Sequence, residues 1–219
     1  MGIFYKNSNG GIMNNSNKRT RGLVRYAMIA AVVLVGILID TLISSGLPVA
    51  TAIASILTVS AMCQIFSVKE SLFAGFCFGF YSMLRAIIKP NLLQILASAE
   101  FWTSFINPVV SVLPRVVMGV VIYFVFKFFD KIFSRSDKLI VNKYFASAIS
   151  TMAGTITNTV LVLSMMALMK FVTKGLLELN IVATLFGFNF IIEMLVAMVG
   201  VPLLTAGLKR AFKRGGIDV

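Results

Sequence analysis

Apolar stretches of about 20 residues, the length one α-helix needs to cross a bilayer, recur along this chain between short breaks of Gly, Pro, Ser and Lys. Nothing constrains the fold more, because inside lipid every backbone N–H and C=O must find its partner within the segment. The runs and their breakers predict helices from about Leu23 to Ser44, Val49 to Phe66, Glu70 to Ile88, Asn107 to Phe129, Tyr144 to Met169 and Thr184 to Leu208. A loop, PNLLQILASAEFWTSFI, precedes the fourth. Pro202 is expected to kink the sixth by removing a backbone donor. The expected fold class is all-α integral membrane: a single six-helix transmembrane bundle at residues 23–208, between basic tails at 1–22 and 209–219. With 58% hydrophobic and 13% charged residues among 219, a water-soluble globule is excluded and no sizeable extramembrane domain fits beside the spans.

Charge supplies the orientation. Twenty Lys+Arg against 8 Asp+Glu give a net +12, which in a soluble protein would suggest a nucleic acid partner. Here the cations flank the spans, where they set topology, so no nucleic acid is expected. One side collects Lys18, Arg19, Arg21, Arg25, Lys69, Lys127, Lys131, Arg135, Lys138, Lys143, Lys209, Arg210, Lys213 and Arg214, with Lys6; the other collects only Arg85, Lys89, Lys170 and Lys174. Both termini are therefore expected in the cytoplasm of a multi-pass protein of the cell membrane. No A-x-A site follows the first apolar run, so an uncleaved first helix is expected. Asn14-Asn15-Ser16-Asn17 is too polar to pack and is expected to stay mobile. No repeat and no inverted pair of halves is visible, which speaks against a transporter with internal two-fold symmetry.

Several chemistries are missing. There is no His, and Cys63 and Cys77 lie in apolar stretches without CxxC spacing, so zinc and thiol redox sites lack ligands. No G-x-x-x-x-G-K-[ST], H-E-x-x-H or G-x-S-x-G motif occurs. Neither an enzyme nor a bound cofactor is expected, and ATP hydrolysis would have to come from another chain.

Ionisable groups are costly in lipid and normally face a bundle interior or a watery cavity. At about 1.5 Å per residue, Arg115 falls roughly 12 Å below the outer end of its helix, Glu193 roughly 13 Å and Asn158 roughly 16 Å. Asn189 and Asp40 fall roughly 8 and 6 Å below theirs. All five lie at mid-depth or in the outer half. The inner portions VVMGVVIYFVF, VAMVGVPLL and YAMIAAVVLVG carry no charge. This layering predicts a pocket open to the outside and closed below by packed helices. The structural alternative is an ion pair between Arg115 and Glu193 or Asp40, with Asp40 an interfacial residue and Asn107, Asn158 and Asn189 bonding between helices. Two small-residue pairs, Ala27 with Ala31 and Gly75 with Gly79, allow close backbone approach, within the subunit or against another membrane protein.

The stretch NPVVSVLPRVVMG (107–119), followed by GTITNTVLVLSMM (154–166) and accompanied by GFCFGFYSMLRAIIKP (75–90), resembles the substrate-binding S components of energy-coupling factor (ECF) vitamin transporters. The likeness covers most of residues 22–210 and is nearest to the pantothenate-type subunits of Gram-positive bacteria. It implies a subunit that binds a scarce vitamin at its outer face and assembles with a transmembrane coupling subunit and two cytoplasmic ATPases. In that family an A-x-x-x-A pattern on the first helix contacts the coupling subunit, and Ala27 and Ala31 match it. The family mechanism has the whole subunit rotate in the membrane.

Pantothenate offers one carboxylate, an amide, two hydroxyls and a gem-dimethyl group. Arg115 would take the carboxylate through two parallel N–H bonds. Asn158 and Asn189 suit the amide and hydroxyls, and Trp102, Phe105 and Phe188 would cover the apolar part. Glu193 is expected to orient Arg115 rather than to touch the ligand. Other vitamins or precursors, such as folate, riboflavin or a pyrimidine, remain rivals on the same bundle. A non-transporting cell-envelope scaffold is the rival outside the transport class, and an ion channel is disfavoured because no ring of charge spans both halves of the membrane.

Overall fold

The computed structural model describes the backbone of residues 15–46, 52–88, 107–133, 139–173 and 179–214; within these, the side chains at 15–19, 21, 44–46, 139–141, 166–167, 169–173 and 179–189 are not described. Among the described residues there are six α-helices and no strand: α1 (Asn15–Gly46), α2 (Ile53–Ile65), α3 (Val68–Ile88), α4 (Pro108–Phe133), α5 (Leu139–Thr173) and α6 (Leu179–Arg214). Five of them contain stretches long and apolar enough to cross a bilayer: Gly22–Ile43, Val68–Ile88, Pro108–Phe133, Asn142–Met165 and Phe190–Arg214. The chain is an all-α, multi-pass membrane protein on that ground.

The helices outrun the apolar runs that foretold them. α1 begins at Asn15, inside the stretch expected to be a mobile tail, and α6 continues to Arg214, past the expected boundary at Leu208. Hydrophobicity marks only the part of a helix that lipid covers, while backbone pairing carries the helix on into the polar flank. At 32 residues α1 is roughly 48 Å long, well beyond a hydrocarbon core of about 30 Å.

α2 departs the other way. Its 13 residues span only about 20 Å, shorter than the run that the sequence suggested for 49–66 and than a hydrocarbon core of about 30 Å. Each of the other five helices packs against it. The reason lies in its sequence, IASILTVSAMCQI, which is apolar or small all round and so offers no face that prefers water. From Ser55 to Ile65 nearly every side chain is buried. Around α2 the neighbours run α1, α3, α4, α5, α6, and among the described residues α1 and α6 do not approach each other.

Local signals fix the joints. Ser67 and Glu70 form a capping box at the start of α3: the Ser67 N–H donates to Glu70 Oε2 at 2.9 Å, and the Ser67 hydroxyl donates to the same oxygen. Arg25 of α1 lies 3.7 Å from Glu70, tying α1 to that cap. At the start of α4, Asn107 Oδ1 accepts the Val109 N–H at 2.9 Å and Pro108 takes the first helical position, where its missing N–H costs nothing. Asn107 is thus a cap on its own helix, not the interhelical bond considered from the sequence. Asn142, at the start of α5, donates to the Phe133 carbonyl at the end of α4, at 3.3 Å.

The two small-residue pairs part company. A Cβ at Gly75 would meet the Arg115 carbonyl and lie 2.8 Å from Val116 Cα; one at Gly79 would lie 2.6 Å from Val112 Cα. These glycines therefore let the α3 backbone rest on that of α4. Ala27 and Ala31 are exposed, on the side of α1 opposite its buried stripe of Ile29, Val33, Ile37 and Asp40. Among the described residues nothing of this subunit covers them.

Candidate functional site

The proline in LPR shapes the site. Pro114 sits inside α4 and has no N–H to give to the carbonyl of Val110 one turn earlier. Arg115 compensates: its Nη1 donates to Val110 O at 3.2 Å and to Ser111 O at 2.8 Å. Nη2 reaches Ser82 Oγ of α3 at 3.4 Å, a long bond, and the guanidinium carbon lies 5.7 Å from the centre of the Phe78 ring. The side chain is buried, yet among the described residues Nε has no hydrogen-bond partner. One edge of the guanidinium is consequently committed to the backbone. The other, made of Nε and Nη2, is the side-on fork that suits a carboxylate.

Two further buried polar atoms lack partners among the described residues: Asn158 Oδ1 on α5 and Ser60 Oγ on α2. Inter-helix register brings the backbones of the three residues to one level. Gly119, one turn on from Arg115, abuts Cys63 of α2, with 3.4 Å from a would-be Cβ to the sulfur. Gly154, one turn before Asn158, abuts Met118 and Ile122 of α4. Ser60 is one turn from Gln64, which bonds to α5, and sits beside the face on which Cys63 meets α4. It thus lies on the side of α2 that turns toward α4 and α5, while the Arg115 guanidinium lies between α4 and α3. Unsatisfied buried polar atoms are expensive, about 1–3 kcal/mol each. The three belong to helices in mutual contact, and an unmade bond at each is the kind of gap that a bound polar molecule or water fills. Ser60 had no distinguishing signal in the sequence, since a serine within an apolar helix more often bonds its own backbone.

The acids do something else. Asp40 is fully buried and accepts the N–H groups of Ala54 and Ser55, each at 2.8 Å, and the Ser55 hydroxyl. Glu193 Oε1 accepts the Ala52 N–H at 2.9 Å. Together, carboxylates from α1 and α6 cap the N-terminus of α2, whose own N-cap residue, Ala52, has no side chain to do so. Asp40 is therefore not the interfacial residue expected. Glu193 still attracts Arg115 electrostatically, but its hydrogen bond serves α2. The suggested structural ion pair gives way to guanidinium bonds with backbone carbonyls and Ser82.

Toward the other end of α2 the interior is not purely greasy. Gln64 Nε2 donates toward Ser147 O (3.1 Å), Ser150 Oγ (3.0 Å) and Thr151 Oγ1 (3.1 Å), while Ser147 and Thr205 hydroxyls donate to its Oε1 at 2.6 and 3.3 Å. This closed network joins α2, α5 and α6 and was not foreseen. Of the other expected site residues, Trp102 and Phe105 lie outside the described residues, and the side chains of Phe188 and Asn189 are not described. Comparison of the chain with protein-family models and with curated proteins returns no match to either.

Proposed function

We propose that this chain is the substrate-binding membrane subunit of an ECF-type importer, with six membrane-inserted helices and both termini in the cytoplasm, capturing a water-soluble vitamin from outside the cell. The supporting observation is the Nε/Nη2 edge of buried Arg115, whose Nε has no partner among the described residues, on a helix packed against those that carry Asn158 Oδ1 and Ser60 Oγ, likewise without partners there. The fork takes a carboxylate, and the two oxygens accept from, or in the case of Ser60 also donate to, hydroxyl and amide groups of the same ligand. Pantothenate carries that set, and its gem-dimethyl group suits apolar walls. Transport would draw on a transmembrane coupling subunit and two ATPases, with exposed Ala27 and Ala31 on the coupling face, in the cell membrane of a Gram-positive bacterium.

A second reading has its own observation. Arg115 repairs the gap left by Pro114, and Asp40 and Glu193 cap α2, so most buried charge also has a structural use, as a scaffold protein would need. Binding separates the two. The purified chain is expected to bind radiolabelled pantothenate, and Arg115→Lys, which keeps the charge but loses the fork, is expected to weaken binding by about 1.5–3 kcal/mol, tenfold or more. Failure of wild-type protein to bind or to be thermally stabilised by any vitamin favours the scaffold; binding unchanged in Arg115→Lys removes Arg115 from the site.

A further inference from the structure

Beyond the end of short α2, the last turns of α4 and α6 and the first turn of α5 bring lysines together. Lys209 of α6 is only partly exposed, and its ammonium lies 5.6 Å from the centre of the Phe126 ring on α4, although among the described residues the backbones of α4 and α6 do not approach each other. The Lys209 side chain therefore crosses the interval between them. Lys127, Lys143 and Lys213 all act on it as like charges, with Asp130 the acid among the groups acting on it. Lys127 is itself held, 5.9 Å from the centre of the Tyr123 ring. Lys127 adjoins Phe126, whose ring Lys209 meets, Lys213 is one turn on from Lys209, and Lys143 opens the helix packed against both; among the described residues Asp130 is the acid acting on Lys209, and two of the ammonium groups lie over aromatic rings. Repulsion of this kind is relieved when a multivalent anion sits among the cations.

The cluster lies within the last two turns of the apolar stretches Pro108–Phe133 and Phe190–Arg214 and at the start of Asn142–Met165, where a helix crossing a bilayer meets the headgroups. Exposed Phe124, Phe128 and Phe145 continue the surface toward the apolar belt. We propose that Lys127, Lys143, Lys209 and Lys213 form a phosphate site occupied by the headgroup of an anionic phospholipid, which thereby bridges the free ends of α4, α5 and α6. The site is independent of the vitamin pocket and of the direction in which the chain is inserted.

The test is native mass spectrometry of the full-length chain in detergent with equimolar phosphatidylglycerol and phosphatidylcholine. Phosphatidylglycerol is expected to be retained about fivefold or more over phosphatidylcholine, and Lys209→Gln and Lys143→Gln are each expected to cut that preference severalfold, as loss of one lysine near an anionic headgroup should. Lys143 is exposed, so its variant reports even if Lys209→Gln unfolds. Lys69→Gln, a basic residue outside the cluster, is expected to leave the preference unchanged. Equal retention of the two lipids, or an equal loss in Lys69→Gln, overturns the proposal. Displacement of the lipid by millimolar inorganic phosphate overturns it too, by making this a site for free anions.

Discussion

At the scale of single residues, buried polar groups divide by whether their bonds close. Asp40 spends its carboxylate on two N–H groups and a hydroxyl of α2, the two bonds to Ser55 fully buried and the one to Ala54 partly so. Asp40→Ala leaves those donors orphaned and is expected to cost about 2–4 kcal/mol, whereas Asp40→Asn, which keeps an acceptor, is expected to cost about half as much. Denaturation of the purified protein in detergent measures the difference; equal losses would mean that charge, not hydrogen bonding, holds the cap. Arg115 is the opposite case, since its bonds to Val110 and Ser111 leave Nε open. Its candidacy was legible from sequence because a lone arginine at mid-span is rare. Its debt to Pro114 was legible only in part, because which carbonyl a long side chain serves depends on its rotamer.

At the scale of elements, glycine positions record how closely helices approach. Gly79→Ala would push a methyl to 2.6 Å from Val112 Cα, against backbone that cannot rotate away, and is expected to destabilise by about 1–3 kcal/mol. Gly207→Ala meets nothing within 4 Å and is expected to stabilise α6 by up to about 1 kcal/mol through helix propensity alone. Thermal melts of the two variants should therefore shift in opposite directions, and a shared sign would contradict the close α3–α4 contact. The same glycines were visible in the sequence as a spaced pair, just as the alanines on α1 were. Spacing tells that a backbone can come near, not which one does, so only the assembled bundle assigned the glycines to α4 and left the alanines outward.

At the scale of the molecule, α2 is the hub, and its two ends are held differently: acids from α1 and α6 at its start, the Gln64 network with α5 and α6 near its finish. Gln64→Leu breaks the latter and is expected to lower stability by about 2–3 kcal/mol; on the proposed function it leaves pantothenate affinity within about twofold, because the network lies one turn or more from Ser60 and Asn158. A parallel loss of binding, read by ligand titration, would show that the two polar layers are coupled. Replacing Ala27 and Ala31 by Leu is expected to leave the melting temperature of the isolated chain unchanged, since both are exposed. If α1 is the coupling face, co-purification with a coupling subunit is expected to fall sharply in that variant.

The apolar lengths, the Asn107-Pro108 start and the Ser67–Glu70 cap are local properties, decided within a few residues by backbone pairing and desolvation, and these the chain dictated by itself. What needed the tertiary structure was partnership: that α2 is a short buried post, that Asp40 and Glu193 cap it from other helices, and that Ser60, Arg115 and Asn158 each keep a buried atom without a partner among the described residues. Helical periodicity assigns a side chain to a face, but in lipid almost every face is apolar. The neighbour that meets it is therefore chosen by packing among helices far apart in the chain.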